Sequence, residues 1–346
     1  MVKLSKGKNN IRLAYLSERV IIYIVDFVFL ISLSELAILP FRINQDLFGF
    51  FIGYQGDATA VFKQLFLSYD GFYNIIIFLL ISFVYFFIEA RYNFTIGALI
   101  YKKKIIFIKE LPSLERTKRA MARAFIKSLI PLNLVDFLLA YKKKNNKYKS
   151  RVIDKTLEIV VTSRAKHYNG FYKYIIPSII IYYSSFFCSF ILLLHTGISG
   201  NLSTFQYSAV TETKPAHSFV YYFKSIVVNN LTLDSYYILG SLSLSFATII
   251  RVLNSNYLEN IFLINILKSI GTIDFFKGVM PQFFPETMGY VFGISFSLYV
   301  TSYIIDFFDG TRKENIYSLS TPIYLIIVSI LLILIGGVIE SYLFFI

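Results

Sequence analysis

The sequence predicts an all-α, polytopic integral membrane protein of the cell membrane, with six or seven transmembrane helices and additional re-entrant or interfacial helices. Three observations lead to this prediction: long apolar runs, a shortage of charge, and basic residues concentrated between the runs. Of the 346 residues, 56% are hydrophobic and only 16% are charged, against about 25% charged in a typical soluble domain. The net charge of +13 therefore belongs to a chain that is both apolar and basic.

The apolar runs set the number of spans. A spanning helix needs about 20 mainly apolar residues. Four runs meet this requirement clearly. Two further runs contain Ser and Gly as well as apolar residues, and we count them as spans because small residues allow close helix packing. Residues 257–276 are apolar on balance but carry three charges, so whether they cross or dip and return stays open. The four clear runs are 20–39, 72–88, 172–194 and 323–345, and the two Ser- and Gly-rich runs are 236–253 and 288–305.

Orientation follows from the positions of Lys and Arg, which are enriched in cytoplasmic loops. Residues 1–19 hold five of them, residues 90–127 hold ten and residues 141–166 hold nine, which is 24 of the 34 in the chain. These stretches are predicted to be cytoplasmic, as is the N-terminus. Residues 124–140 lie between two of them and contain Pro131, so we expect an interfacial or re-entrant piece rather than a crossing.

Several classes of function are excluded by composition and motifs. The single cysteine, Cys188, excludes an internal disulfide and a Cys-built zinc site, and the three histidines are too scattered for metal ligation. No hydrolase, phosphate-binding, metalloprotease or dinucleotide motif is present. Nucleic-acid binders carry their basic charge on a charge-rich surface, unlike this chain. We therefore expect a non-enzymatic protein without cofactor, metal or nucleic-acid partner.

The first half of the chain carries spaced residues that match a known pattern. Arg19 and Asp26 lie seven residues apart in ERVIIYIVDF, and Asp154 lies in RVIDKTLEIVV. Together they resemble the Arg, Asp and Asp for which the RDD family is named. Thr95 and Gly97 in NFTIGALIYKKKIIF are similar to a conserved segment of that family, although the family's lysine is replaced by Ala98. The resemblance covers about residues 12–163.

The second half more faintly resembles the stage II sporulation protein M family of membrane proteins. The segment MPQFFPETMGYVFGISF keeps a proline and a glutamate of that family but lacks its His-Gly pair. The resemblance covers about residues 170–346 and implies a fusion of two membrane modules, residues 1–166 and 167–346. The residues that carry it are Pro281 and Glu286, the pair Asn229 and Asn230, and Glu340.

Charged groups inside a membrane are costly and need a partner or a role. We expect Arg19, Asp26 and Asp154 to form a polar cluster at the cytoplasmic face. The candidate counter-charges for Asp26 are Arg119, Arg123 and Arg151. Glu89, next to Arg91 at the end of a span, is interpreted as an interfacial residue.

Two glutamates of the second half are candidate coupling carboxylates for transport. Glu286 begins a predicted span and Glu340 lies near the end of the last one. In the simplest interpretation, Glu286 complements a helix N-terminus and Glu340 extends to the interface. If the two meet inside a bundle, they would share a proton or hold a cation.

Basic runs next to membrane segments are topology signals, and they are also candidate binding sites for anionic lipid at the cytoplasmic face or for a partner. Two functions therefore remain. One is a membrane scaffold or assembly partner in a larger envelope complex, whose partners would be other membrane proteins or further copies of the same chain. The alternative is a transporter or channel for ions or small solutes. The basic residues in question are Lys102, Lys103, Lys104, Lys142, Lys143 and Lys144.

Overall fold

The computed structural model of the chain describes residues 12–13, 16–38, 69–100, 103–107, 111–129, 132–133, 135–136, 152–163, 172–196, 219–243, 245–308 and 320–345. Most of these residues are helical. The elements in chain order are β1 (Arg12–Leu13), α1 (Leu16–Ile38), α2 (Tyr69–Tyr92), α3 (Ile96–Ile100), β2 (Lys103–Phe107), α4 (Ser113–Ser128), α5 (Val152–Thr156), β3 (Ile159–Ser163), α6 (Tyr172–Thr196), α7 (Phe219–Leu239), a 3₁₀ turn (Gly240–Ser243), α8 (Phe246–Ile270), α9 (Thr272–Gly278), α10 (Met280–Phe308) and α11 (Ser320–Phe345).

Within the described residues, four helical stretches are long and apolar enough to cross a membrane. They are Ile75–Leu99, Tyr172–Leu194, Met280–Phe308 and Ser320–Tyr342. Each corresponds to a run predicted from the sequence. About 20 apolar residues span the hydrocarbon, and a helix satisfies their backbone N–H and C=O groups where no water is present to do so. The all-α class and a membrane-compatible set of helices are therefore established. The predicted count of six or seven spans is not reached by these four.

The sequence did not predict a small antiparallel sheet with strand order β1, β3, β2. Ile105 on β2 and Ile159 and Val161 on β3 form its buried core. Their β-branched side chains suit a strand. However, the strands have only two to five residues, so the alternation of buried and exposed side chains is too short to be recognised in the sequence.

The chain forms two compact units. The first comprises residues 1–27, 79–173 and 305–313, and the second comprises residues 28–78, 174–304 and 314–346. Both units draw on residues from each side of position 166: the first includes residues 305–313, and the second includes parts of α1 and α2.

A tight hairpin between α7 and α8, in the second unit, corrects the prediction of one span over 236–253. The chain turns at residues 240–245, and Ser245 adopts a left-handed conformation with φ of 63°. Gly240 lies so close to Thr248 that an added Cβ would lie 2.6 Å from the backbone nitrogen of that threonine. Close approach of the two helices requires a residue without a side chain at this position.

One side of the hairpin tip is buried against α10, since Ser241 and Ser245 are buried whereas Leu242 is 77% exposed. The hydroxyl of Ser245 is hydrogen-bonded to those of Ser297, at 2.8 Å, and Thr301, at 2.6 Å. Thr301 precedes the end of α10 at Phe308 by two helical turns. The hairpin thus ends alongside α10 instead of extending past it, and neither α7 nor α8 belongs to the four apolar stretches.

Two asparagines fix α8 against α6. The side-chain amides of Asn256 and Asn260 donate to the backbone oxygens of Tyr182 and Phe186, at 3.0 and 2.8 Å. Both asparagines are completely buried. Because donors and acceptors are each four residues apart, the contact repeats once per helical turn and sets the register of the two helices.

Replacing Gly240 by Ala is expected to lower the stability of the second unit. The new methyl group would overlap Thr248, and such overpacking costs about 1–3 kcal/mol. The matched control is Gly278→Ala, since a Cβ at Gly278 meets nothing within 4 Å and alanine favours a helix. Thermal unfolding of the purified variants in detergent should show a lower midpoint for Gly240→Ala only; equal midpoints would contradict this view of the hairpin.

Candidate functional site

Glu89 on α2 is fully buried in the first unit and is surrounded by three cations. Its carboxylate accepts hydrogen bonds from Lys103 at 2.7 Å, Arg123 at 2.8 Å and Lys127 at 2.6 Å. All three basic side chains are themselves at most 5% exposed. In addition, the ammonium of Lys127 lies 4.1 Å from the ring centroid of Phe86, a cation–π contact.

Arg123 joins Glu89 to a second ion pair. Its Nε donates to Asp154 at 3.0 Å, and the other oxygen of Asp154 accepts from Arg19 at 2.9 Å. The predicted association of Arg19 with Asp154 is therefore present in the structure. We refer to Arg19, Glu89, Lys103, Arg123, Lys127 and Asp154 as the Glu89 cluster.

Asp26, also predicted to join this cluster, has different partners. Its carboxylate accepts hydrogen bonds from the hydroxyl of Tyr85 at 2.9 Å, the backbone N–H of Gly97 at 2.8 Å and the hydroxyl of Thr95 at 3.2 Å. A Cβ at Gly97 would lie 2.7 Å from the backbone oxygen of Ile22, so glycine allows α3 to approach α1. Backbone and hydroxyl donors thus satisfy Asp26.

The predicted counter-charges for Asp26 were wrong where the structure describes them. Arg123 binds Glu89 and Asp154, while Arg119 donates to Glu158 at 3.0 Å. Arg151 lies outside the described residues. The arginines were chosen because they lie in the basic stretch, but in the folded chain Arg123 pairs with Glu89 and Asp154, and Arg119 pairs with Glu158.

The interpretations of Glu89 and Lys103 also need correction. The place of Glu89 next to Arg91 at a span end does not account for it, because Glu89 is fully buried in ion pairs with three cations. Lys103 is a buried ion-pair partner of Glu89 instead of a lipid-binding group. Lys104, its neighbour on β2, is exposed because alternate residues of a strand point to opposite faces. Four other basic residues of the lipid-binding prediction lie outside the described residues: Lys102, Lys142, Lys143 and Lys144.

The Glu89 cluster contains more cations than carboxylates, and this affects its lysines. Burial lowers the pKa of Lys127 to about 7, although Glu89 opposes the shift. Burial also lowers the pKa of Lys103. The guanidinium of Arg123 stays charged because its two carboxylate partners raise its pKa in spite of burial. The lysines are therefore the groups that can lose a proton and so reduce the net positive charge of the cluster.

A second set of polar side chains lies among the helices of the second unit. The side-chain amide of Asn230 on α7 donates to Glu286 on α10 at 2.8 Å. Glu286 packs against Gly336 on α11, one helical turn before Glu340, and the carboxyl groups of Glu286 and Glu340 interact with each other. Tyr182 on α6 donates to Glu259 on α8 at 3.2 Å. We call Tyr182, Asn230, Glu259, Glu286 and Glu340 the carboxyl cluster.

Helix packing in this unit depends on close approach at two glycines. A Cβ on Gly336 would overlap Glu286, and a Cβ on Gly293 would overlap Asp234. The hydroxyl of Ser329 donates to Asp234 at 2.7 Å. Small residues let these carboxyl groups lie directly against neighbouring backbone, as is typical of membrane helix interfaces.

The two candidate carboxylates of the second half are therefore brought together. Glu286 lies in the second turn of α10 and binds Asn230 and Glu340, so the expectation that it complements the helix N-terminus was wrong. Within the described part of the chain, no Lys or Arg forms an ion pair with Glu259, Glu286 or Glu340, and no group of three His, Cys, Asp or Glu residues is arranged to hold a metal ion. Asn230 and Glu259 were not chosen as site residues, although both are polar residues in apolar segments.

Comparison with known proteins gives no family assignment: no protein-family model, no curated protein and no solved structure matches the chain.

Replacing Glu89 by Gln is expected to destabilise the first unit strongly. Removal of one partner of a buried ion pair costs about 3–5 kcal/mol because the other charge stays buried without compensation, and here three cations lose their shared anion. The control is Glu115→Gln, which removes the exposed partner of Arg119 on α4 and should leave the unfolding midpoint unchanged. A Glu89→Gln midpoint as high as that of the control would contradict the central place of Glu89.

Stability of the first unit is expected to rise between about pH 7 and pH 10. Lys127 has a pKa of about 7 in the folded chain and 10.5 as its ordinary value. In that interval the unfolded chain binds a proton that the folded chain does not, so stability increases with pH. Unfolding midpoints measured from pH 7 to pH 9 should rise more steeply for the unmodified chain than for Lys127→Met. The variant Lys118→Met, at an exposed position, should keep the full slope; equal slopes for all three proteins would be the contrary result.

Proposed function

We propose that the chain is a non-enzymatic, multi-pass protein of the cell membrane in which the carboxyl cluster carries protons during transport of an ion or small solute. The observation on which this proposal depends is the packing of Glu286 against Gly336, one helical turn before Glu340, which brings the two carboxyl groups together. Two carboxyl groups within hydrogen-bonding distance hold a proton between them, because two like charges at this separation repel each other.

The surroundings of the pair favour a change of protonation. A carboxylate inside an apolar bundle is costly unless a cation compensates it, and within the described residues neither glutamate has a basic partner. Loss of the shared proton would therefore require a cation or a rearrangement of the helices. A third carboxyl group, that of Glu259, interacts electrostatically with Glu286 and offers a further position for the proton.

The shape of the α7–α8 hairpin gives additional support. Transporters commonly place their binding sites at interrupted helices, where polar groups enter the membrane. The hairpin carries Asn230 and Glu259 of the carboxyl cluster on its two arms, and Gly240 and Ser245 are buried at its tip. Movement of such a hairpin against α10 would change access to Glu286.

For orientation, we propose a cytoplasmic N-terminus. Helices α1, α2, α6, α10 and α11 would then cross the bilayer, and the hairpin would enter and return on the same side. This arrangement places residues 309–319 in the cytoplasm, in agreement with the basic pair of Arg312 and Lys313 and the enrichment of basic residues there.

Both family resemblances remain part of this proposal. The residues that carry the RDD resemblance are in contact in two places, at Arg19 with Asp154 and at Asp26 with Thr95 and Gly97. In the second half, Asn230, Glu286 and Glu340, which carry the other resemblance, also meet. Contacts among residues that were chosen for a sequence pattern support the pattern, and a role in transport has been proposed for the RDD family.

A scaffold or assembly role is the second candidate, and the Glu89 cluster favours it. Its carboxylates bind several cations each, an arrangement that suits a fixed fold better than a changing charge. We therefore assign the Glu89 cluster and Asp26 to structure in either case. An assembly partner with no transport activity would retain the carboxyl cluster as helix contacts only.

Proton transport can be tested with the purified chain in liposomes that contain a pH-sensitive dye. After a pH gradient is imposed with Na⁺ or K⁺ on the opposite side, the unmodified chain should collapse the gradient. Glu286→Gln and Glu340→Gln should reduce the rate to that of protein-free liposomes, whereas Glu115→Gln should keep it. Failure of the unmodified chain with both ions, or full activity of both glutamine variants, would favour the assembly role.

A further inference from the structure

Helix α4 has two different faces. Ala120, Arg123, Ala124 and Lys127 are buried, and the two basic residues among them hold Glu89. The opposite side exposes Leu114, Met121 and Phe125, with 69%, 46% and 57% of their surfaces accessible. A helix in water would place polar residues on its exposed side, so this apolar face is unusual.

The exposed residues form one continuous stripe. Successive members are separated by seven and four residues, which places them within a narrow arc of a helix with 3.6 residues per turn. Lys118 lies on the same face and is exposed. Beyond the helix, Leu132 and Val135 are also about half exposed. We call Leu114, Lys118, Met121 and Phe125 the outer face of α4.

Contacts of the buried side fix α4 to a helix that can cross the membrane. Glu89 lies in the apolar stretch Ile75–Leu99, three residues before the end of α2 at Tyr92. Since Arg123 and Lys127 both bind Glu89, the axis of α4 is held beside the end of α2. The outer face, on the other side of α4, therefore lies close to the level where an apolar helix leaves the hydrocarbon.

We propose that the outer face of α4 lies in the interface of the lipid bilayer, with Leu114, Met121 and Phe125 among the upper acyl chains and Lys118 extended to the lipid phosphates. Amphipathic helices with apolar residues on one side and Lys or Arg at the flanks bind anionic membranes in this way. Four charged residues of α4 are not buried. Three are basic, Arg116, Lys118 and Arg119, and one is acidic, Glu115. This excess suits lipid phosphates. The inference depends on the membrane placement proposed above.

The absence of tryptophan from the chain allows a direct test. Single tryptophans are introduced by Met121→Trp and Phe125→Trp on the outer face, by Leu331→Trp on α11 as a membrane reference, and by Glu115→Trp on α4 outside the outer face. Each full-length variant is reconstituted in liposomes that contain phosphatidylglycerol and lipid brominated near the top of the acyl chain. Fluorescence quenching by bromine requires contact with the lipid.

Quenching of Met121→Trp and Phe125→Trp should approach that of Leu331→Trp and exceed that of Glu115→Trp. The inference is overturned if the two outer-face tryptophans are quenched by aqueous iodide as strongly as Glu115→Trp, which would place the face in water. It is also overturned if they are protected from both quenchers, which would indicate a protein partner or a second copy of the chain. Failure of Leu331→Trp to be quenched by bromine would instead refute the membrane placement itself. Unfolding midpoints verify that the variants are folded.

Discussion

The ion pairs of Glu89 are the interaction on which the first unit depends. An isolated charge in an apolar interior is costly, yet this unit buries Arg19, Lys103, Arg123 and Lys127. Glu89 compensates three of these cations, and Arg123 extends the network to Asp154. In this way α1, α2, α4, α5 and β2 are joined by a few charge-assisted hydrogen bonds. The same contacts set the direction of α4, and so decide which of its sides stays exposed.

Compensation is achieved differently in the second unit. There Glu286 contacts Glu340 and an asparagine amide, and Asp234 accepts from a serine. Three neighbouring cations keep the carboxylate of Glu89 ionised, whereas a proton shared by two carboxyl groups can leave. This physical difference is the reason for assigning structure to the Glu89 cluster and proton transfer to the carboxyl cluster. The helices can pack this closely because residues 240, 293 and 336 are glycines. The position of each carboxyl group therefore depends on the packing of the helices around it.

Apolar composition alone predicted the four helices that can cross a membrane, because the need for about 20 apolar residues is local and independent of neighbours. The association of Arg19 with Asp154 was expected from the resemblance to the RDD family, and the candidate pair of Glu286 and Glu340 from the scarcity of charged residues in apolar runs. Glu89 was not, because its partners Arg123 and Lys127 are more than 30 positions away and its neighbour Arg91 offers a simpler explanation. The turn at 240–245 was missed since small and apolar residues there resemble a continuous span, and its left-handed residue, Ser245, has no sequence signal.

We propose that Glu286 and Glu340 hold a proton between them at neutral pH, whereas Glu89 is ionised. Infrared spectroscopy distinguishes the C=O stretch of a protonated carboxyl group from the bands of a carboxylate. The spectrum of the reconstituted chain at neutral pH should contain a protonated-carboxyl band that is lost in Glu286→Gln and in Glu340→Gln but is retained in Glu89→Gln. A spectrum in which the protonated-carboxyl band is unaffected by both substitutions in the pair would contradict the account.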